Sequence, residues 1–198
     1  MSTPRYEEQA KAASKWWSKL GPQTNPETGH TMAGDRATLA RLRRADSLLD
    51  AASEPATIDL FLTLGFDRRW AQRDLPRAAL IAAVLANVRD NDSRQWIANA
   101  IGQPRGGEDT TALITPLRFK RIVAARTPGD LFIQFRRVVA IMDRTANVKD
   151  LAKQLLAFTD PDEATAERAR VMFAFAYHGA DAFAPYQDDE TTSPSANT

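Results

Sequence analysis

The residues of this sequence best suited to a chemical function are the arginines within 117–144. A Thr-Pro-Gly break at 127–129 divides this stretch into two predicted helices. At 100° per residue, one side of the second helix collects apolar residues, and the other collects Arg136, Arg137 and Arg144. Solvent-facing helix surfaces usually mix charge signs, because opposite charges at i,i+4 support each other. A face made almost wholly of arginine therefore needs another explanation, and the flat, permanently charged arginine fork suits phosphate.

Further cations fit the same chemistry. In a helix predicted over 35–52, arginines fall opposite the apolar side, although Asp46 and Asp50 dilute that face. Rigid helices can hold such side chains along a phosphate path, where every neutralised phosphate releases counterions and no base edge need be read. We therefore predict sequence-tolerant nucleic-acid binding by Arg43, Arg44, Lys120, Arg121, Arg136, Arg137 and Arg144.

Other arginines are explained better by pairing within the chain. The set at 68–77 has acidic neighbours in Asp67 and Asp74, which favours ordinary ion pairs. Arg126 projects onto the apolar side of its helix, so we expect a partly buried pairing or snorkelling residue there. Arg121, Arg136 and Arg137 are expected to point outward.

Catalytic and metal-binding patterns are missing from the sequence. There is no cysteine, and neither His30 nor His178 has a partner at metal-ligand spacing. No glycine-rich phosphate loop follows a strand. The acidic residues at 90–92 and 188–190 are interpreted as a turn and a solvated tail. The sequence thus indicates a protein that is not an enzyme and needs no cofactor or metal.

The charge distribution supports a basic working surface. The net charge is only +1, but residues 103–158 carry 10 Lys and Arg against 5 Asp and Glu, whereas residues 159–198 carry 2 against 8. No apolar run approaches the roughly 20 residues that span a bilayer, and the first residues lack an apolar signal core. We expect a cytoplasmic protein that does not enter membranes.

Hydrophobic periodicity predicts helices throughout the chain and no strand of useful length. The expected fold is all-α, with about eight to ten mostly short helices in two small bundles. The predicted divisions are an N-terminal bundle at 1–102, a loop or linker at 103–116, a C-terminal bundle at 117–186 and an acidic disordered tail at 187–198.

Four motifs together resemble a known family. They are an N-terminal helix with Trp16-Trp17 and Leu20, the run Gly34-Asp35-Arg36-Ala37 leading into Leu42-Arg43-Arg44-Ala45, the run from Pro116 to Arg121, and Leu131 followed by Phe135-Arg136-Arg137-Val138-Val139. In order and spacing, over about residues 10–160, the chain resembles CasB, the small subunit of the E-type CRISPR surveillance complex Cascade.

The resemblance implies an all-α fold of two small helical bundles without catalytic activity. It implies a second copy arranged head to tail, other Cascade subunits that hold the guide RNA as neighbours, and a basic surface that steadies target and displaced DNA strands in the R-loop. Arg43, Arg44, Arg121, Arg136 and Arg137 match the motifs. Lys120 and Arg144 rest on helix geometry alone.

Two other classes of protein stay open at this point. A helical transcription regulator would bind one operator through a helix-turn-helix, for which the loop at 22–34 is too long a turn. A purely protein-binding adaptor would use Trp16, Trp70 and Trp96 as anchors.

Overall fold

The computed structural model describes residues 4–24, 31–106 and 109–179, and within them it confirms the all-α fold. Its helices are α1 Pro4–Leu20, α2 Arg36–Arg44, α3 Leu48–Ala52, α4 Pro55–Thr63, α5 Ala71–Ala86, α6 Ile97–Gly102, α7 Pro116–Ala124, α8 Pro128–Ile141, α9 Val148–Phe158 and α10 Glu163–Tyr177. A 3-10 turn covers Arg68–Trp70. His30 and the tail at 187–198 lie outside the described residues.

Six short strands form three two-stranded ladders in the described residues. The strands are β1 Gln23–Thr24, β2 Thr31–Met32, β3 Asp90–Asn91, β4 Pro104–Gly106, β5 Asp109–Ala112 and β6 Thr145–Ala146. β1 pairs with β2 and β4 with β5 in antiparallel fashion, while β3 and β6 are parallel. The parallel pair joins the residues after α5 to those after α8, so two distant parts of the sequence meet there.

The helix predicted over 35–52 is interrupted by a serine cap. Ser47 accepts a hydrogen bond from the Asp50 backbone N–H at 3.1 Å, and the Asp50 carboxylate accepts one from the Ser47 N–H at 3.0 Å. Such a reciprocal box starts a new helix, and it divides the segment into α2 and α3. Apolar spacing in one continuous helix predicts Leu49 on the buried side, but Leu49 is 75% exposed.

Helix α5 lies at the centre of the protein. Every residue from Ala78 to Ala86 is fully buried, and the alanines in this run let neighbouring helices approach closely. α5 packs against α2, α3 and α4 on the N-terminal side and against α8 and α9 on the C-terminal side. One hydrophobic core therefore includes residues from both predicted bundles, and the division into two bundles stays a prediction.

A buried ion pair fastens α5 to α9. Asp74 accepts a hydrogen bond of 2.8 Å from Arg77, and Arg77 also donates to the Thr159 hydroxyl and the Leu156 carbonyl. Burial alone would raise the pKa of the Asp74 carboxyl, but the hydrogen bonds from Arg73 and Arg77 outweigh it and hold that pKa below its ordinary value.

Helix α10 turns a different side inward from the one expected. Apolar spacing in the sequence predicts Val171 and Phe175 as core residues, but they are 58% and 52% exposed, while Phe173 and Arg170 are buried. Arg170 can replace an apolar residue because its guanidinium donates to the carbonyl oxygens of Ala125 and Phe158. Apolar spacing alone therefore misassigned this face.

No described helix is both long and apolar enough to traverse a membrane.

Candidate nucleic-acid interface

Helices α7 and α8 flank a groove lined in part by arginines. Pro116 opens α7, and Phe119 and Ile122 bury one side of it against the core. Arg118 and Arg121, three residues apart, therefore share the side that faces α8. The groove has a volume of about 450 Å³ and is lined by Ile114, Arg118, Arg121, Ile122, Gln134, Arg137, Val138, Ala140 and Ile141.

The three groove arginines have no acidic partner in the part of the chain that the structure describes. Within the described residues, the guanidinium groups of Arg118, Arg121 and Arg137 form no hydrogen bond or ion pair. All three side chains are exposed. Three cations held by two rigid helices without compensation create a local positive potential. We call Arg118, Arg121 and Arg137 the groove arginines.

Arg136, one residue away, is placed quite differently. It is half-buried, and it donates hydrogen bonds to the backbone carbonyl oxygens of Ala45 at 2.6 Å and Arg43 at 2.7 Å. Its guanidinium also lies over the Phe132 ring, 4.9 Å from the centroid. The expectation that Arg136 points outward is therefore wrong in geometry, because consecutive helix residues differ by 100° and Arg136 falls on the side of α8 that meets α2.

A second basic cluster forms where α2, the end of α5 and the β3–β6 ladder meet. The Arg43 guanidinium donates to the carbonyl oxygen of Ala86, the last residue of α5. Burial, and then the positive charges of Arg89 and Arg144, lower the pKa of Arg43. The Arg89 N–H also donates to the Arg144 carbonyl oxygen at 2.8 Å, and we call Arg43, Arg89 and Arg144 the ladder arginines. Arg44 is exposed, with no described partner.

Two predicted cations stand apart from these clusters. Lys120 is exposed but does not line the groove, because it lies on the other side of α7 from Arg118. Arg126 pairs with Glu167 at 3.1 Å and donates to the Val123 carbonyl. The pairing expected for Arg126 is present, and half of its side chain is exposed.

The arginines at 68–77 are held within the chain as expected. Arg69 pairs with Asp67 at 2.6 Å, and Arg73 and Arg77 both pair with Asp74. Arg68 is exposed, without an acidic partner in the described residues.

A larger cavity of about 880 Å³ lies among α1, α6, α9 and α10. Two of its three lining cations, Lys149 and Lys153, pair with Glu7. The nearby Asp150 is buried, which raises its pKa, and it accepts a hydrogen bond of 2.7 Å from the Ile97 N–H. Arg168 is the one lining cation without an ion-pair partner among the described residues, so this cavity offers fewer free cations than the groove with its three.

Sequence reasoning missed two arginines. Arg118 sits three residues before Arg121, and that spacing alone could have assigned it to the same face. Arg89 joins its cluster only through the β3–β6 ladder, where its N–H donates to the Arg144 carbonyl at 2.8 Å, a long-range pairing with no local signal. The described residues contain no group of three or more potential metal ligands.

Comparison with known proteins adds a family. No curated protein and no solved structure matches the chain. The family model described as CRISPR-associated protein Cse2 matches residues 38–178, a stretch that contains the groove arginines and the ladder arginines. The match agrees with the resemblance drawn from the motifs at 34–45, 116–121 and 131–139. The chain belongs to the Cse2 family, the small subunits of the CRISPR Cascade complex.

Proposed function

We propose that this Cascade subunit is a non-catalytic, sequence-tolerant nucleic-acid-binding protein that stabilises the target and displaced DNA strands of the R-loop. The observation that carries the proposal is the set of three groove arginines without an acidic partner in the described residues. The ladder arginines and Arg44 extend the positive surface toward α2. Lys120 is a weaker contact candidate.

Electrostatics explain how such a surface would act. Guide pairing reads the sequence and exchanges one duplex for another of similar stability, so modest backbone contacts by protein can tip the balance. Each phosphate contact contributes through counterion release, independently of base identity. The protein would work in the cytoplasm beside a second copy of itself and the subunits that hold the guide RNA.

The test removes the groove arginines together. The variant Arg118→Ala/Arg121→Ala/Arg137→Ala is assembled with its partner subunits and guide RNA, and DNA affinity is measured at several salt concentrations. Losing three phosphate contacts should reduce the slope of log affinity against log salt by about 2 for single strands. With 1 M salt as the reference, a slope reduced by about 2 means an affinity roughly 50-fold lower at 0.15 M salt.

A charge-matched control separates position from net charge. Arg68→Ala/Arg69→Ala/Arg94→Ala also removes three exposed arginines, of which Arg69 and Arg94 are paired with Asp67 and Asp92. This control should keep the wild-type slope. Equal losses in both triple variants, or no loss in the groove variant, would overturn the assignment of the surface.

A further inference from the structure

The groove between α7 and α8 combines two chemistries that a phosphate path alone does not require. Its floor is apolar, with Ile114, Ile122 and Val138 at most 2% exposed and Ile141 half-buried beside them. The groove arginines stand on its rim. An apolar floor does not favour the binding of a phosphate group, because burying a charge against apolar side chains costs free energy. A ligand with a flat, weakly polar body and a flanking negative charge satisfies both parts.

A nucleotide in a single strand has this composition. Its base is flat and can stack on a guanidinium plane, while its phosphates stay with the cations. The groove volume of about 450 Å³ lies within the range of roughly 300–1,000 Å³ typical of small-ligand pockets. A base inside a duplex is stacked and paired, so only an unpaired base can enter.

Gln134 supplies the polar group that such a base would need. It lines the groove, is half-buried, and has no hydrogen-bond partner for its amide among the residues the structure describes. A glutamine amide presents one acceptor and two donor hydrogens, which matches the mixed edge of any base. Because the side-chain amide can rotate and exchange its donor and acceptor positions, Gln134 favours no single base, in keeping with sequence-tolerant binding.

We propose that the α7–α8 groove is a slot for one unpaired nucleobase. The base packs on the apolar floor, stacks against a guanidinium of the groove arginines and forms hydrogen bonds with Gln134, while the remaining groove arginines contact the flanking phosphates. This inference rests on the proposed function and deepens it. The surface then selects single-stranded over double-stranded nucleic acid, because only a strand with free bases gains from the slot.

The first experiment fills the slot without changing charge. Ala140 lines the groove and is exposed, so Ala140→Met places an apolar chain across it. Ala124→Met is the matched control on α7, also exposed but outside the groove. The probes are a thymidine oligonucleotide and an abasic oligonucleotide of equal length, bound to the assembled complex. The wild type and the control should prefer the thymidine strand roughly tenfold, and Ala140→Met should lose that preference with its salt slope unchanged.

The second experiment keeps charge and removes the stacking plane. Arg118→Lys/Arg121→Lys/Arg137→Lys retains three cations but loses the flat guanidinium groups. Its salt slope should stay near the wild-type value while the preference for the thymidine strand disappears. This variant tests the slot independently, so the proposal stays testable if Ala140→Met does not fold.

The outcomes separate the two proposals. Equal affinity of the wild type for both oligonucleotides would overturn the slot, while the proposed function would survive if both affinities still fall with salt as expected. A preference kept by both variants would also overturn the slot. Loss of complex assembly by Ala140→Met alone would assign the groove to a partner protein instead. No affinity for either strand would overturn both proposals.

Discussion

The guanidinium of Arg136 donates a hydrogen bond to the backbone carbonyl oxygen of Arg43 at 2.7 Å. A neighbouring bond to Ala45 completes a cap on the end of α2, where the last carbonyl groups lack helical partners and the helix dipole is negative. An arginine of α8 thus fixes the helix that carries another arginine of the basic surface. This geometry supports a positioning role for Arg136, and its contact with nucleic acid stays a prediction.

Replacing Arg136 with alanine should therefore lower stability. Two charge-assisted hydrogen bonds and the contact with Phe132 are lost, so we expect the free energy of unfolding to fall by about 2–3 kcal/mol in urea denaturation. Arg137→Ala is the control, with an expected change within about 0.5 kcal/mol. Unchanged stability in Arg136→Ala, accompanied by a smaller salt slope, would make Arg136 a phosphate contact instead.

The buried pair of Asp74 and Arg77 gives a prediction with a pH signature. Asp74→Asn leaves the Arg77 charge, 4% exposed, without its counterion, so stability at pH 7 should fall by about 3 kcal/mol. The pKa of Asp74 is held below its ordinary 3.8, so its contribution is complete above that value and is lost as pH falls through the folded-state pKa.

The measurement is urea unfolding of wild type and Asp74→Asn from pH 7 down to acid conditions. The gap between the two proteins should be constant near neutral pH and should narrow below about pH 4. A gap that stays constant into acid would show that Asp74 contributes through packing rather than charge. Arg69→Ala, which breaks an exposed pair with Asp67, is the control and should change stability by less than about 1 kcal/mol.

Sequence reasoning succeeded where local patterns decide the outcome. Apolar periodicity found the helices, and the acidic neighbours of Arg69 and Arg77 identified their ion pairs. It failed where a neighbouring element decides. Arg136 and Arg137 are adjacent on a face that the sequence predicts as exposed, and only the hydrogen bonds from Arg136 to the end of α2 separate the capping residue from the groove residue.

The same limit applies to the ends of helices and to long-range pairs. Ser47 interrupts an otherwise continuous apolar pattern, because a satisfied cap outweighs the propensity to continue the helix. Arg89 reaches Arg144 through a parallel two-residue ladder that joins segments more than fifty residues apart. Periodicity within a short window contains no information about such a contact.

A close approach between α6 and the end of α10 predicts a strict need for glycine. A Cβ at Gly102 would overlap the backbone carbonyl of Tyr177. The Tyr177 ring stacks on Phe119 at 3.8 Å between centroids, and its hydroxyl donates to the Ile114 carbonyl at 2.6 Å, so α10 cannot move freely. Gly102→Ala should lower the free energy of unfolding by about 2 kcal/mol.

Thermal and urea unfolding would check this, with Gly129→Ala as the control. Gly129 lies in the first turn of α8. A Cβ at this position would lie 3.8 Å from the Thr127 hydroxyl oxygen, an ordinary van der Waals contact. The control should gain roughly 0.5–1 kcal/mol from better helix propensity. A gain of similar size in Gly102→Ala would contradict the close packing of α6 on α10.

Arg144 should show a conflict between stability and function. Its φ is 64°, a left-handed conformation that costs a non-glycine residue roughly 1–2 kcal/mol, and its charge repels that of Arg43. Its backbone carbonyl accepts hydrogen bonds from the N–H groups of Arg89 and Asp90, and these depend only on the main chain. Arg144→Gly keeps the ladder and relieves both strain and repulsion.

We therefore expect Arg144→Gly to raise the free energy of unfolding by roughly 0.5–1 kcal/mol, after the added freedom of glycine in the unfolded chain is included. In the assembled complex, the same variant should lose one phosphate contact, which reduces the salt slope for single strands by about 0.7. Arg144→Lys is the control, since it keeps both the charge and the strained backbone. If Arg144→Gly gains stability while the slope of log affinity against log salt stays unchanged, Arg144 does not contact nucleic acid. The strain and repulsion at this residue would then have no compensating contact.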